Sequence, residues 1–143
     1  FTRSDWASAV VHFKAAANSP QHQARDFVQL GNALRLLGDL NGAEEQYRNA
    51  LEQHGTKWNT AEALSGMALV AYAGEKDIPR AAALLQDALR AEPGYYWAHV
   101  TLADLKLDSG DLAGAVEEYG LALDADPLND HARTQLRLLS TFQ

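Results

Sequence analysis

The sequence has no cysteine, which excludes a disulfide framework and a thiolate zinc site and leaves the compartment open. It is short of positive charge, with 12 Lys and Arg against 19 Asp and Glu, a formal net charge of −7. Nucleic acid needs a basic face for its phosphates, so it is not expected as a partner. The acidity favours solubility and leaves basic or apolar partners open. No apolar run approaches the ~20 residues that span a bilayer, and no basic–apolar–small segment opens the chain, so no direct membrane insertion is expected of these residues. Catalytic signatures are missing as well. The five histidines (His12, His22, His54, His99, His131) show no metal-ligand spacing. There is no Gly-rich phosphate loop and no GxSxG elbow, and Ser65-Gly66 falls inside a helical pattern. The acidic stretch "DLKLDSGDLAGAVEE" (104–118) lacks the alternating Asp/Asn pattern and central Gly of a calcium loop. Glu44-Glu45 and Glu117-Glu118 fall early on their helices, where negative charge suits the macrodipole. No metal, no cofactor and no catalytic residue is expected, and the chain reads as a non-enzyme.

What is present is repetition. The chain has 143 residues, 47% of them hydrophobic, enough for one domain with a core. Four stretches superpose: "DWASAVVHFKAA" from Asp5, "DLNGAEEQYRNA" from Asp39, "DIPRAAALLQDA" from Asp77 and "DLAGAVEEYGLA" from Asp111. After each Asp comes a large apolar residue (Trp6, Leu40, Ile78, Leu112). An Ala follows four after the Asp (Ala9, Ala43, Ala81, Ala115), and a bulky residue eight after it (Phe13, Tyr47, Leu85, Tyr119). A second Ala comes eleven after it (Ala16, Ala50, Ala88, Ala122). These offsets share one helical face. The Asp is placed to cap the helix N-terminus, and Pro79 falls in a first turn where its missing N–H costs little.

Ahead of three of these phrases lies a second helical pattern: "ARDFVQLGNALRLLG", "AEALSGMALVAYAG" and "YWAHVTLADLKLDSG". Each has a large residue followed by a small one, at Leu30-Gly31, Met67-Ala68 and Leu102-Ala103. A glycine inside a helix costs about 1 kcal/mol against Ala, so Gly31 implies close helix contact. Gly38, Gly74 and Gly110 are placed as left-handed C-caps. The unit is helix, tight turn, helix. The leading Asp residues are 34, 38 and 34 apart, and Pro93 and Pro127 are 34 apart. The extra residues of the middle unit fall about three in "HGTKWNT" and one in "GEKD". A fixed period of this size implies a stacked array in which no unit buries its apolar face alone.

On the residues "LGNALRLLGDLNGAEEQYRNAL" (30–51) and "LADLKLDSGDLAGAVEEYGLALDADP" (102–127), the chain resembles the tetratricopeptide (TPR) repeat family. The resemblance implies an all-α, right-handed solenoid of helix-turn-helix repeats. It would comprise one TPR domain over 1–143: the second helix of a partial repeat (1–20), repeats at 22–54, 58–92 and 95–126, and a C-terminal capping helix (128–143). Arg137, standing where earlier units carry a small residue, suits a solvated cap. The unpartnered first helix, and a start at Phe1 rather than Met, suggest a fragment of a longer protein.

The resemblance also implies a binding site, because in this family the first helices of successive repeats line a concave groove that holds a peptide or helix of a partner. Carried over by register, the lining is Arg25, Val28, Gln29, Asn32 and Arg35 from the first full repeat. The second would contribute Glu62, Ser65, Leu69 and Tyr72, and the third Trp97, Val100, Thr101, Asp104 and Asp108. The family's clamp for acidic chaperone tails is not expected, because Val28, Gly66, Trp97 and Thr101 replace its Lys, Asn, Lys and Arg, and Asn32 alone fits. The implied function is a scaffold or adaptor module binding another protein. The alternatives are a self-associating structural module or a regulatory domain of a larger enzyme. In "GYYWAH" (94–99) the repeat frame assigns Tyr95 and Tyr96 to the seam between repeats, Trp97 to the partner and His99 to packing.

Overall fold

The structure, a computed structural model, describes residues 2–17 and 23–141, with the side chains of residues 16 and 17 left aside. Among the described residues there are eight helices and no strand: α1 (Arg3–Ala17), α2 (Ala24–Leu37), α3 (Leu40–Glu52), α4 (Lys57–Glu75), α5 (Ile78–Ala91), α6 (Tyr96–Asp108), α7 (Leu112–Ala125) and α8 (Asp130–Ser140). The Ala16 side chain, His22 and the boundary between residues 20 and 22 lie outside the described residues.

Local chemistry explains where these helices start and stop. Asp39, Asp77 and Asp111 accept the backbone N–H of Gly42, Arg80 and Gly114 at 3.0, 3.1 and 2.9 Å, satisfying donors that a first turn leaves open. Asp5 departs from this expectation. Thr2 precedes the helix and accepts from Asp5 N at 3.2 Å, while Thr2 N donates to Asp5 Oδ2 at 2.8 Å. That reciprocal pair is a capping box, with the Asp one turn inside the helix. Gly38 and Gly110 are left-handed, at φ 91° and 88°, as a C-cap requires. Gly74 is not: α4 runs through it to Glu75, and Lys76 makes the left-handed turn at φ 51°. The residue inserted in "GEKD" carries the helix past the glycine. At the other end Thr56 caps α4, which brings Lys57 and Trp58 into the helix rather than the linker.

Each helix packs on its chain neighbours, and α2 also contacts α4, as α4 does α6. The even-numbered helices thus form the closer-spaced inner layer and the odd-numbered ones the wider outer layer, which bends the array around the inner face. Three clusters of buried side chains run along the stack. The first gathers Val28, Ala43 and Tyr47 with Ala63, Met67 and Val70 of the next helix pair. Tyr47, Leu85 and Tyr119, the bulky residues of three phrases, are fully buried between their alanines. Phe13, the bulky residue of α1, stays half-buried, because among the described residues α1 packs chiefly on α2.

The Tyr47 ring explains two glycines together. A Cβ on Gly31 would sit 2.7 Å from Tyr47 Cε1, and one on Gly66 would run into Cζ and Cε1 of the same ring. The ring is therefore held between the backbones of α2 and α4. This is the packing reason that Gly31 implies, and a second one that accounts for Ser65-Gly66.

Candidate functional site

The repeat register puts equivalent residues of α2, α4 and α6 side by side. Counting back from the small residues Gly31, Ala68 and Ala103, one row is Arg25, Glu62, Trp97 and the next is Val28, Ser65, Val100. The residues just after the small ones form a third row, Asn32, Leu69, Asp104. On the inner face some residues of these rows, with their neighbours, line a depression of about 240 Å³ between the three helices. Asn32 and Arg35 of α2 form one wall, and Glu62, Ser65, Gly66 and Leu69 of α4 form the floor. Tyr95, Trp97 and Thr101 close the third side. A second depression of about 180 Å³ continues from it, sharing Leu69 and Thr101 and adding Tyr72, Asp104 and Leu105.

Buried tyrosines of the outer helices position the polar residues of the wall. Tyr47 Oη donates to Asn32 Oδ1 at 2.6 Å and accepts from Arg35 Nε at 3.3 Å. Burial pushes the Tyr47 phenol above its ordinary pKa, opposed by Arg35, so it remains a neutral donor. In the third repeat Tyr119 donates to Asp104, which also meets His131 Nε2 at 2.9 Å. Burial, with the Asp104 carboxylate, raises the Tyr119 phenol too. Tyr72 donates to Asp108 across the groove edge at 2.5 Å, tying α4 to α6. Glu62 is half-buried and receives the Asn59 amide at 3.3 Å, and desolvation holds its carboxyl above the usual range.

Several expected lining residues sit elsewhere. Val28 and Val100 are buried at 0% and 4% exposure and face their own repeats' second helices, next to Tyr47 and Tyr119 respectively. Their row turns inward by one step from the groove rows, so neither is available to a partner. Arg25 is exposed and outside both depressions. Gln29 is half-buried and likewise lines neither. Asp104 and Asp108 are not a free acidic pair, since each holds a tyrosine hydroxyl. Asn32, Arg35, Leu69, Tyr72 and Trp97 do come together along the inner face.

Of the three aromatics in "GYYWAH", Tyr95 is buried, Tyr96 half-buried and Trp97 46% exposed. The Tyr95 ring meets Trp58 edge-on at 4.9 Å, Tyr96 lies 6.2 Å from Trp58, and Trp97 lies 5.1 Å from Tyr96. Reading Trp58 as linker missed this aromatic row; Thr56 as a cap was the available signal. A second omission is Glu118, buried at 7% exposure, which accepts from His99 Nδ1 at 2.7 Å and Lys106 Nζ at 3.1 Å. Burial alone would raise its carboxyl, but the bonds from His99 and Lys106 outweigh it and hold the pKa below the ordinary value. Glu118 thus binds α6 to α7 rather than serving a macrodipole, and sequence spacing carries no sign of that.

A larger depression of about 400 Å³ lies between α1, α2 and α3, lined by Val10, Phe27 and Leu34 together with Lys14 and Glu45. Among the described residues no three His, Asp or Glu side chains group to hold a metal ion, and no helix is long and apolar enough to cross a membrane.

Comparison with known proteins bears on this architecture. Over 130 residues the chain is 34% identical to human Superkiller complex protein 3, and over 127 residues 31% identical to the mouse protein. Each match covers 88% of this chain but only 8% of the relative, so the chain spans a small part of the length of the curated relatives it matches. Among solved structures, the Cut9–Hcn1 hetero-tetramer of the APC/C superposes at a TM-score of 0.77, with 16% identity, over 95% of this chain and 27% of that one. The first TPR of Spaghetti (RPAP3) bound to the HSP90 peptide SRMEEVD superposes at 0.69, with 19% identity, over 84% of this chain and 92% of that one. Models of the tetratricopeptide repeat match residues 27–53 and 72–138, which take in three of the four repeated phrases. The chain, an all-α solenoid of stacked helix pairs, belongs to the tetratricopeptide repeat family.

Proposed function

We propose that the chain is a non-catalytic interaction module that holds a peptide or helix of a partner protein along its inner face, in a scaffold or adaptor role. The carrying observation is Trp97, which stands 46% exposed at the mouth of a depression shared by three helices. A large aromatic left open beside Arg35 and Leu69 is the composition of an interface hot spot, where Trp and Arg dominate. The fold relative that holds a bound peptide supports the reading. The partner is apolar or basic rather than an acidic chaperone tail, given the net charge and the missing clamp residues.

A phage-displayed random peptide library tests the proposal. Peptides enriched on the wild-type chain should lose about tenfold or more in affinity on Trp97→Ala, the effect of removing one aromatic anchor. Enriched peptides indifferent to both Trp97→Ala and Leu69→Ala would refute the groove reading.

A second reading, self-association, is favoured by the face of α1 that carries Ser8, His12 and half-buried Phe13, and by Val11 at 72% exposure. Light scattering over a concentration series separates the two, since a monomer throughout removes self-association.

A further inference from the structure

The second depression of the inner face, about 180 Å³ between α4 and α6, is mostly apolar. Leu69 and Tyr72 line its α4 side, and Thr101, Asp104 and Leu105 its α6 side. The hydroxyl donors there are already used. Tyr72 Oη donates to Asp108 Oδ2 at the edge, and Thr101 Oγ1 donates to the Trp97 carbonyl one turn back in its own helix. What is left over is acceptor capacity on two carboxylates. Tyr119 and His131 both meet Asp104 at Oδ1, and Tyr72 takes only Oδ2 of Asp108. Asp104 Oδ2 and Asp108 Oδ1 therefore have no partner among the described residues.

The charges are uncompensated as well. Glu44, Asp87, Glu118 and Asp130 each pair with a Lys or Arg, and among the described residues Asp104 and Asp108 do not. Their tyrosine partners are neutral hydroxyls, which hold a carboxylate in one orientation without cancelling its charge. The two carboxylates stand one helical turn apart, ~6 Å along the axis, a like-charge pair that a shared cation relieves. Lys76 Nζ lies 5.7 Å from the centroid of the Tyr72 ring, and two carboxylates against one ammonium still leave this end negative.

This combination selects among occupants. An anion would meet two carboxylates. A purely apolar side chain would cover Leu69 and Leu105 but strip water from Asp104 with nothing in return. An ammonium supplies the charge, but as a compact and strongly hydrated point. A guanidinium sheds water more readily, reaches two acceptors from one plane and lies flat on an aromatic ring, while its methylene stem covers apolar surface. We propose that this depression receives an arginine side chain of the bound peptide, its stem along Leu69 and Leu105 and its guanidinium at the free oxygens of Asp104 and Asp108. The inference rests on the groove reading above and specifies the chemistry of one residue of the partner. The two depressions share Leu69 and Thr101, so that arginine lies close in the peptide to the residue set against Trp97.

The test uses four small probes, the N-acetyl methylamides of arginine, citrulline, lysine and glutamate, titrated into the whole chain and followed by the Leu69 and Leu105 methyl NMR signals. Arginine should bind about fivefold or more tighter than citrulline, which keeps the shape and loses the charge. Lysine should fall between them, and glutamate should bind weakest. Asp104→Asn and Asp108→Asn each keep an oxygen for the tyrosine. Each should weaken the arginine probe about threefold and the double variant about tenfold, with citrulline little affected. Added salt should weaken arginine binding for the same reason. Equal binding of arginine and citrulline, or a preference for lysine or glutamate, would overturn the proposal. So would methyl signals that stay still up to the solubility limit of the arginine probe. Variants that lose Tm yet keep the arginine–citrulline ratio would show a purely structural carboxylate pair and equally overturn it. Displayed peptides that depend on Trp97 but ignore the double variant would retain the groove and remove only this subsite.

Discussion

The first full repeat (α2–α3) and the last (α6–α7) follow one plan and end it with different charges. In both, a buried tyrosine of the outer helix donates to the residue fifteen positions earlier on the inner helix. In the first repeat that acceptor is the neutral Asn32, with Arg35 on the same hydroxyl. In the last it is Asp104, joined by His131 of α8. The middle repeat has Leu85 in place of the tyrosine and Leu69 in place of the acceptor. Along this one row the inner face therefore runs from Asn32 beside Arg35 through Leu69 to Asp104, while the packing beneath it barely changes. The difference teaches that the repeated plan serves the stack, and that polarity is varied where the plan meets the groove.

Packing gives the largest way to break the comparison. The first repeat fits its tyrosine against Gly31 and Gly66, whereas the last has Ala103 beside Tyr119. Gly31→Ala should cost about 2–3 kcal/mol in urea unfolding, because the ring is pinned from both sides and overpacking exceeds the helix-propensity gain of about 1 kcal/mol. Adding Tyr47→Leu, which copies the Ala68–Leu85 combination of the middle repeat, should recover most of that loss. A neutral Gly31→Ala would mean the ring has room to move.

Charge gives the next effect. Glu118 has Gln46 as its counterpart in the first repeat, so only the last repeat holds a buried carboxylate between α6 and α7. Glu118→Gln should cost about 2 kcal/mol near neutrality, as expected when a buried charge-assisted bond is lost. The folded pKa of Glu118 lies below its ordinary value, so its contribution is complete above the ordinary glutamate range and is lost as pH falls through the folded value. The gap between wild type and variant should close in acid. Hydrogen exchange should then show α6–α7 amides losing protection before those of α2–α3; equal loss in both repeats would count against a local role.

The smallest effect concerns the tyrosine bonds. Double-mutant cycles on Tyr47–Asn32 and Tyr119–Asp104, read by thermal unfolding, should each give about 1 kcal/mol, the charged acceptor giving the larger value. Equal couplings would show that water on the half-exposed Asp104 offsets its charge.

Much of this was legible in the chain. Asp39, Asp77 and Asp111 announced three helix starts, because an N-cap is a contact across three residues. The offsets of the alanines and Tyr47, Leu85 and Tyr119 announced the buried faces, since a helix puts those positions on one side. Gly74 misled because the inserted residue moved the turn to Lys76, and a glycine tolerates a helix interior as well as a cap. Val28 and Val100 misled because adjacent rows of a helix differ by a small rotation, and that rotation depends on how neighbouring pairs lean. Asn32, Arg35, Leu69, Tyr72 and Trp97 were readable as inner-face residues from register alone.

Sequence by itself determined the helix pairs, their period, the Asp39, Asp77 and Asp111 caps and the residues that seal each pair, because those properties depend on neighbours within about one repeat. Only the tertiary structure decided that one ring fills the space over two glycines 35 positions apart. It also decided that Glu118 lies between His99 and Lys106. Those facts depend on the distance and tilt between successive helix pairs, which no local pattern encodes.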